Sequence, residues 1–193
     1  MRLLEHAVST DTPPTAGPTP STHQAIRHDG PVNHNQYVAV LRAAQAMRDD
    51  LSETLTVDAL ANLAFFSKYH FTRVFQRCTG LPPGRFLAEL RVMMAEHLLL
   101  TSELSFTEIT YQVGYASVGT FSTRFKEVLG VPPSDYRRHS GLYRSPLVDA
   151  EELRPNTAIV LRTLQAVRTV LEPGQDETPR RWTLGMVPAR QVA

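Results

Sequence analysis

The stretch Phe71-Thr72-Arg73-Val74-Phe75 returns fifty residues later as Phe121-Ser122-Thr123-Arg124-Phe125. Segments on either side return in the same order: Leu55–Leu60 as Leu104–Ile109, and Gly80-Leu81-Pro82-Pro83 as Gly130-Val131-Pro132-Pro133. Self-similarity of this kind marks a repeated structural unit, and it decides the architecture before any local pattern does. The sequence from Leu55 to Arg138 therefore predicts two copies of one small fold in tandem.

Local signals give each copy the same series of elements. Thr56 and Ser105 stand where a helix N-cap is expected, because their hydroxyls can accept hydrogen bonds from the free amides of a first turn. Gly80 and Gly130 stand where a left-handed residue ends a helix, and proline follows each of them at the start of the next one. Each copy thus reads as a helix, a tight turn, a longer helix, a glycine stop and a proline-started helix.

The flanking sequence completes an all-α fold. The first thirty-five residues include a Pro/Thr-rich stretch that cannot bury enough apolar surface to fold, which predicts a disordered arm. Apolar residues at helical spacing predict a helix after Gln36, a long linker helix from Pro83 to Thr101 and an extra C-terminal helix from Asn156 to Leu171. That last helix either packs back on the domain or mediates self-association. The predicted division is an arm at 1–35, a domain at 36–140 (first unit 36–82, linker helix 83–101, second unit 104–138) and an extension at 141–193.

Composition excludes several classes of protein without identifying a partner. The 193-residue chain has a net charge of +1 and an isoelectric point near 8.0, so total charge neither demands nor excludes a nucleic acid. Cys78 is the only cysteine, which excludes an internal disulfide and a multi-cysteine zinc site. No apolar run is long enough for a membrane span, and the N-terminus lacks a signal-peptide core. We expect a cytoplasmic protein.

The long helix of the first copy has two distinct faces. Its inner face is apolar at helical spacing: Phe71, Val74, Phe75 and Cys78. Its outer face offers an aromatic ring, a hydroxyl, a guanidinium and an amide, the groups that contact base edges in a DNA major groove: Tyr69, Thr72, Arg73 and Gln76. Lys68 and Arg77 flank this outer face, where they would bind phosphates and set the register.

The corresponding helix of the second copy repeats this geometry with fewer hydrogen-bonding groups. Phe121, Phe125 and Val128 are expected to point inward, and the outer positions are Gly119, Ser122, Thr123 and Lys126. Thr123 occupies the place that Arg73 holds in the first copy, and a bidentate arginine–guanine pair contributes roughly 1–3 kcal/mol of discrimination. We therefore predict that the first unit supplies most direct readout, whereas the second docks through Thr120, Arg124 and Lys126 and reads DNA shape.

These motifs carry a resemblance to a known family. The sequence resembles the DNA-binding domain of the AraC/XylS family of bacterial transcription regulators over about eighty-four residues, and three motifs show it most clearly: Ser67-Lys68-Tyr69-His70-Phe71-Thr72-Arg73-Val74-Phe75; Ile109-x4-Gly114-Tyr115-x5-Phe121-x3-Phe125; and Gly130-Val131-Pro132-Pro133-x2-Tyr136-Arg137. The resemblance implies a seven-helix, homeodomain-like domain of the AraC type. In such a domain two recognition helices enter successive major grooves on one face of DNA, about one helical turn apart.

Carried over position by position, the resemblance implies two sets of DNA-contacting residues. The base-reading positions are Tyr69, Thr72, Arg73, Val118, Gly119, Thr120 and Thr123. The phosphate-binding positions are Ser67, Lys68, Arg77, Ser117, Arg124 and Lys126. Val118 and Gly119 replace polar side chains that are common in the family, and Phe65 stands where the second copy has Gly114, so the first turn is expected to be shaped differently. Neither end of the chain resembles the effector-binding domain that family members usually carry.

The function predicted from the sequence is that of a DNA-binding transcription regulator associated with the nucleoid. Its partners would be double-stranded DNA and, as a second candidate, RNA polymerase, with no membrane, metal or cofactor; monomer and homodimer both stay open. The alternative is a helical protein-interaction module whose outer polar residues are merely solvated. An enzyme is not expected, because the sequence holds no nucleophile elbow, phosphate loop or zinc-spaced cluster.

Overall fold

The computed structural model describes residues 31–51, 55–143 and 153–173, and the regular elements in these ranges are all helical. The helices are α1 (His34–Asp49), α2 (Val57–Leu63), α3 (Lys68–Thr79), α4 (Pro83–Thr101), α5 (Phe106–Gln112), α6 (Val118–Leu129), α7 (Pro133–Arg138), a short 3₁₀ turn (Ser140–Leu142) and α8 (Pro155–Leu171). Within the described ranges, no helix combines the length and the apolar character that a membrane crossing needs. The predicted arm lies outside the described residues except for 31–35, of which His34 and Asn35 already belong to α1.

The predicted helix boundaries are confirmed at the positions where the capping signals stand. Thr56 accepts a hydrogen bond from the amide of Ala59, and Ser105 forms a reciprocal capping box with Glu108. Gly80 and Gly130 end their helices with φ of 94° and 79°, the left-handed conformation that glycine adopts without strain. The linker helix α4 begins and ends at the two residues that the sequence predicted.

Each unit is built around a small aromatic core. In the first unit, the ring of Phe75 lies 5.5 Å from that of Phe71 and 5.3 Å from that of Phe86 at the start of α4. In the second unit, Phe125 has the same relation to Phe121 at 5.6 Å and to Tyr136 at 5.4 Å. The residues predicted to point inward are buried or, for Cys78 and Val128, partly buried against this core. Helix α4 contacts α3 on one side and α5, α6 and α7 on the other, so it joins the two units.

The turn between the first two helices of each unit corrects one expectation. Phe65 has a φ of 56° and Gly114 a φ of 80°, so both turns pass through the left-handed region. The hydrogen bonds also match, because the Phe66 amide donates to the carbonyl of Ala61 as the Tyr115 amide donates to that of Thr110. The first turn is therefore shaped like the second, and Phe65 adopts a conformation that is unfavourable for a residue with a Cβ.

The C-terminal helix α8 packs back on the rest of the domain, which is one of the two arrangements that the sequence left open. Its side chains Val160, Leu164 and Val167 are fully buried, and α8 contacts α1 most extensively, followed by α4 and α3. The carboxylate of Glu172 closes the far end of this contact through a 2.7 Å hydrogen bond from Arg48. The described residues from Val32 onward belong to one compact unit that includes α8.

Candidate nucleic-acid interface

The outer face of α3 is accessible and chemically varied. Tyr69 is 74% exposed and Gln76 is exposed, while Thr72 and Arg73 are partly buried along the same face. The guanidinium carbon of Arg73 lies 5.6 Å from the centre of the Tyr69 ring, which is a cation–π contact. Two residues assigned to base reading are thus brought together, and the ring limits the conformations of the arginine before any ligand binds.

The hydroxyl of Thr72 is already engaged within its own helix. It donates a 2.9 Å hydrogen bond to the carbonyl of Lys68, one turn earlier. The oxygen keeps a lone pair that can accept, and the methyl group stays available for apolar contact. Thr72 therefore offers a methyl and an acceptor at this face, a combination suited to a thymine methyl or to a base amino group.

The N-terminus of α3 carries a cap and an ion pair. The hydroxyl of Ser67 accepts a hydrogen bond from the amide of His70, which ties this predicted phosphate-binding residue to the helix start. The ammonium group of Lys68 lies 2.8 Å from the carboxylate of Asp58 on α2, and both side chains are more than 60% exposed. Such an exposed pair is weak, so a DNA phosphate would compete with Asp58 for the same lysine.

The outer face of α6 is exposed but offers smaller groups. Val118, Gly119, Thr120 and Thr123, the base-reading positions assigned to this unit, are all exposed. The hydroxyl of Ser117 caps the helix by accepting from the Thr120 amide, and it lies 3.0 Å from the Thr120 hydroxyl. Methyl and hydroxyl groups therefore dominate this surface, as the sequence predicted.

Basic residues of the second unit are fewer and partly neutralised. A guanidinium nitrogen of Arg124 lies 3.2 Å from the carboxylate of Glu127, and Glu127 stands in the repeat where the first unit has Arg77. Lys126 is exposed on the last turn of α6, three residues after Thr123 and on the same face. Lys126 is therefore a stronger candidate for phosphate contact than Arg124, because the charge of Arg124 is partly neutralised by Glu127.

Sequence reasoning missed two acidic residues of this surface, Asp58 and Glu127. Glu127 follows Arg124 by three residues, a helical spacing that indicates an ion pair, so its role could have been foreseen. Asp58 lies on a different helix from Lys68, and their contact depends on how α2 packs against α3. No local pattern announces such a contact.

The surroundings of Cys78 and of the potential metal-ligating side chains indicate a structural role for them. Cys78 is partly buried against the core, and burial raises the pKa of its thiol despite the opposing charge of Arg77, so the thiol stays protonated at neutral pH. In the described ranges, no group of three or more His, Cys, Asp or Glu side chains is placed to hold a metal ion. What this surface offers is a pair of short amphipathic helices whose inner faces are buried and whose outer faces are accessible.

Comparison with known proteins places this arrangement in a family. A family model described as a helix-turn-helix domain matches residues 60–139. The chain is 33% identical over 88 residues to the HTH-type transcriptional activator AarP of Providencia stuartii. The aligned region covers 46% of this chain and 65% of AarP. Among solved structures, the C-terminal domain of AraT, a response regulator from Geobacillus stearothermophilus, superposes with a TM-score of 0.51 at 33% identity, covering 52% of this chain and 84% of that one.

A second solved structure has the same fold at lower identity. It is a transcriptional regulator from Chromobacterium violaceum of the group of AraC-type DNA-binding domain-containing proteins. It superposes with a TM-score of 0.51 at 23% identity, covering 58% of this chain and all of that one. This chain spans only part of the first curated relatives that it matches, from 29% to 65% of their length. The similarity thus concerns the domain that holds the two repeated units.

Proposed function

This chain belongs to the AraC/XylS family of bacterial transcription regulators, and on that premise we propose that it binds a specific DNA site through two successive major-groove segments. Helices α3 and α6 would be the recognition helices, one for each segment. The recognition helices lie in the predicted domain at 36–140, and α8 of the predicted extension at 141–193 would complete the core that supports them. No catalytic step is part of the proposal.

The observation that carries the proposal is the contact between Tyr69 and Arg73 on the accessible face of α3. The opposite face of the same helix is anchored by Phe71 and Phe75, which are fully buried, so the orientation of the outer face is fixed by the core. An arginine held in this way on a recognition helix is suited to a bidentate contact with guanine. Tyr69 beside it offers a ring for apolar contact with a neighbouring thymine methyl.

The two units would contribute differently to binding. The first would supply most direct readout, with Tyr69, Thr72 and Arg73 on base edges and Ser67, Lys68 and Arg77 on phosphates. The second would read shape and dock on the backbone; its base-facing positions are Val118, Gly119, Thr120 and Thr123, and its phosphate contacts are Ser117, Arg124 and Lys126. This division follows from the small side chains and the acidic Glu127 on α6.

The proposal has consequences for partners and location. A DNA partner implies association with the nucleoid in the cytoplasm. RNA polymerase is a second proposed partner, because the similar protein AarP is described as a transcriptional activator. One copy of the chain carries both recognition helices, so a single molecule suffices to engage two adjacent segments.

The test compares two variants on one DNA fragment selected from genomic DNA by the wild-type protein. Arg73→Ala should lower the affinity by about 1–3 kcal/mol and relax specificity at one base pair. Lys126→Ala should weaken binding to all sequences alike and reduce the slope of log K against log salt by about one. The readout is fluorescence anisotropy on the fragment and its single-base variants at several salt concentrations, and Arg42→Ala on α1 is the control for loss of one exposed positive charge.

Two outcomes would contradict the proposal at different levels. If Arg73→Ala leaves affinity and specificity unchanged, α3 does not read bases as proposed. If the wild-type protein retains no fragment in a salt-sensitive way, the alternative of a protein-interaction module gains support. That alternative would draw on the exposed apolar side chains Leu63 and Phe65 at the first turn.

A further inference from the structure

The linker helix carries two buried carboxylates on one side. Glu89 and Glu96 are seven residues apart on α4, which places them on the same face two turns apart, and each is only 3% exposed. Burying one unpaired carboxylate is already unfavourable, and two on one face also repel each other. Burial raises the pKa of the Glu96 carboxyl above its ordinary value, and the hydrogen bond from Arg154 opposes that rise. These carboxylates need a cation, and the cation comes from outside the helix-turn-helix repeat.

Arg154, the residue that precedes α8, supplies that cation. Its Nη2 atom donates hydrogen bonds to Glu89 at 3.0 Å and to Glu96 at 2.6 Å. Thr157 on the first turn of α8 donates a further 2.7 Å hydrogen bond to the same oxygen of Glu89. The start of α8 is thereby fastened to the middle of the linker helix.

The second oxygen of Glu96 continues the network into the second unit. It accepts a 3.4 Å hydrogen bond from the hydroxyl of Tyr136 on α7. The ring of Tyr136 packs edge-on against Phe125 at 5.4 Å, and Phe125 is a core residue of the recognition helix α6. We call Arg154, Glu89, Glu96, Thr157 and Tyr136 together the Arg154 clasp.

The rest of α8 is anchored on the first unit. Glu172 at its far end accepts hydrogen bonds from Arg48 at 2.7 Å and from Gln45 at 3.0 Å, both on α1. Ile159 lies beside the end of the first recognition helix, with its terminal carbon 3.6 Å from the place where a Cβ on Gly80 would stand. Helix α8 therefore touches the first unit along its length, and at its start it reaches the second unit through the clasp.

We propose that Arg154 is a positioning residue that fixes the second recognition helix relative to the first, and thereby sets the separation of DNA segments that the protein accepts. The inference rests on the proposed DNA-binding function. One extra base pair moves the second segment by about 3.4 Å along the duplex and rotates it by about 35°. A rigid pair of units rejects such a shift, whereas a loosely joined pair tolerates it.

The first arm of the test measures this selectivity. The test uses duplexes that carry the selected site, with one base pair inserted or deleted between the two major-groove segments that the recognition helices would contact. The wild-type protein should prefer the original separation by about tenfold or more, and Arg154→Met should reduce that preference to about threefold or less, mainly by weakening the original site. Arg162→Met removes an exposed arginine from the same helix and should keep the wild-type preference. A loss of folding stability alone would lower all affinities together and leave their ratio unchanged.

The second arm measures the geometry without DNA. Spin labels at Asn62 on α2 and Thr107 on α5, two exposed positions, report the distance between units in a Cys78→Ser background. Arg154→Met should broaden the distance distribution by about twofold or more relative to wild type and Arg162→Met, because the cation that links α8 to both carboxylates is gone. A distribution as narrow as wild type, or an unchanged separation preference, would overturn the inference.

The two arms separate the inference from the function on which it rests. If no fragment is retained by the wild-type protein, DNA binding fails and the width of the distance distribution alone decides whether Arg154 positions the units. If Arg154→Met fails to fold, Tyr136→Phe takes its place, since it removes only the hydroxyl that joins Glu96 to the second unit. Tyr136→Phe should then broaden the distribution, and an unchanged distribution would overturn the link from the clasp to α7.

Discussion

Lys68 stands at the first position of the proposed recognition helix, and its ammonium group already has a partner in Asp58 at 2.8 Å. Both groups face solvent, so their attraction is screened and contributes little to stability. The pair instead places a negative charge at the edge of the surface that would meet DNA. In the proposed mode of DNA binding, Asp58 would oppose binding by repelling phosphates and by pairing with the lysine.

Replacing Asp58 with Asn should therefore strengthen DNA binding. We expect Asp58→Asn to raise the affinity for specific and unrelated duplexes alike by roughly 0.5–1 kcal/mol, because it frees Lys68 without altering base contacts. Fluorescence anisotropy on both duplexes measures the change. Asp49→Asn on α1, which removes an exposed carboxylate paired with Arg48, is the control; equal or weaker binding by Asp58→Asn compared with this control would contradict the prediction.

Phe65 and Gly114 form a matched pair for testing backbone strain. Phe65 is 95% exposed at a φ of 56°, so its side chain gains little from packing. Phe65→Gly should relieve about 1–2 kcal/mol of strain and lose about 0.5–1 kcal/mol to the extra freedom of the unfolded chain, for a small net gain in stability. Urea unfolding measures this gain, and a clear loss of stability would show that the Phe65 side chain packs in solution.

The same turn in the second unit should respond in the opposite way. A Cβ at Gly114 would overlap the carbonyl oxygen of Leu51, in addition to adopting a φ of 80°. Gly114→Ala should therefore destabilise the protein by about 2–4 kcal/mol in the same urea titration. A near-neutral effect would mean that the segment around Leu51 moves away at little cost.

At the scale of single elements, α1 and α8 are joined by a contact that depends on pH. Hydrogen bonds from Arg48 hold the pKa of the Glu172 carboxyl below its ordinary value, although burial opposes this. A carboxyl whose pKa is lower in the folded state contributes stability at pH values above its unfolded pKa, and this contribution is lost as the pH falls through the folded pKa. The contact is therefore complete at neutral pH and lost in acid.

Glu172→Gln should remove this contribution selectively. At pH 7 the variant should unfold with a free energy lower than that of wild type by on the order of 1 kcal/mol, and the difference should shrink as the pH falls below about 4. Urea titrations at several pH values check both points. Glu103→Gln, which removes an exposed carboxylate between α4 and α5, is the control and should unfold with the same free energy as wild type. If the free energies of unfolding of wild type and Glu172→Gln differ by the same amount at all pH values, the titration argument is wrong.

At the scale of the whole molecule, α8 completes the core of the first unit. It inserts Val160, Leu164 and Val167, all fully buried, against a domain that the sequence divides at residue 140. Each such side chain contributes roughly 1.5–3 kcal/mol when buried. Together they are comparable to the total stability of a small domain, about 5–15 kcal/mol.

A chain that ends at residue 152 should consequently lose most of its stability. We expect its urea midpoint to fall sharply relative to a chain that ends at residue 173, which keeps every described helix. Circular dichroism during urea titration distinguishes them. If the chain ending at 152 unfolds with an unchanged midpoint, the domain ends where the sequence division places it and α8 is an appendage.

The sequence by itself determined the repeat, the helix ends that carry capping signals, and the two faces of α3 and α6. These features depend on neighbours three or four residues apart, such as the Ser105 cap with Glu108 or the apolar spacing of Phe71 and Phe75, so a linear pattern is enough to predict them. The resemblance to the family then assigned base-reading and phosphate-binding roles to particular residues. Those assignments stay predictions, which Arg73→Ala and Lys126→Ala test.

Only the tertiary structure decided which charges meet. Lys68 reaches Asp58 across a helix boundary, and Arg154 reaches Glu89 and Glu96 across separations of 65 and 58 residues. The conformation of Phe65 likewise follows from the turn that its unit must form, against the preference of the residue itself. Such contacts depend on how whole helices pack against one another, and helix packing is set by the shape of the buried core, which no short stretch of sequence contains.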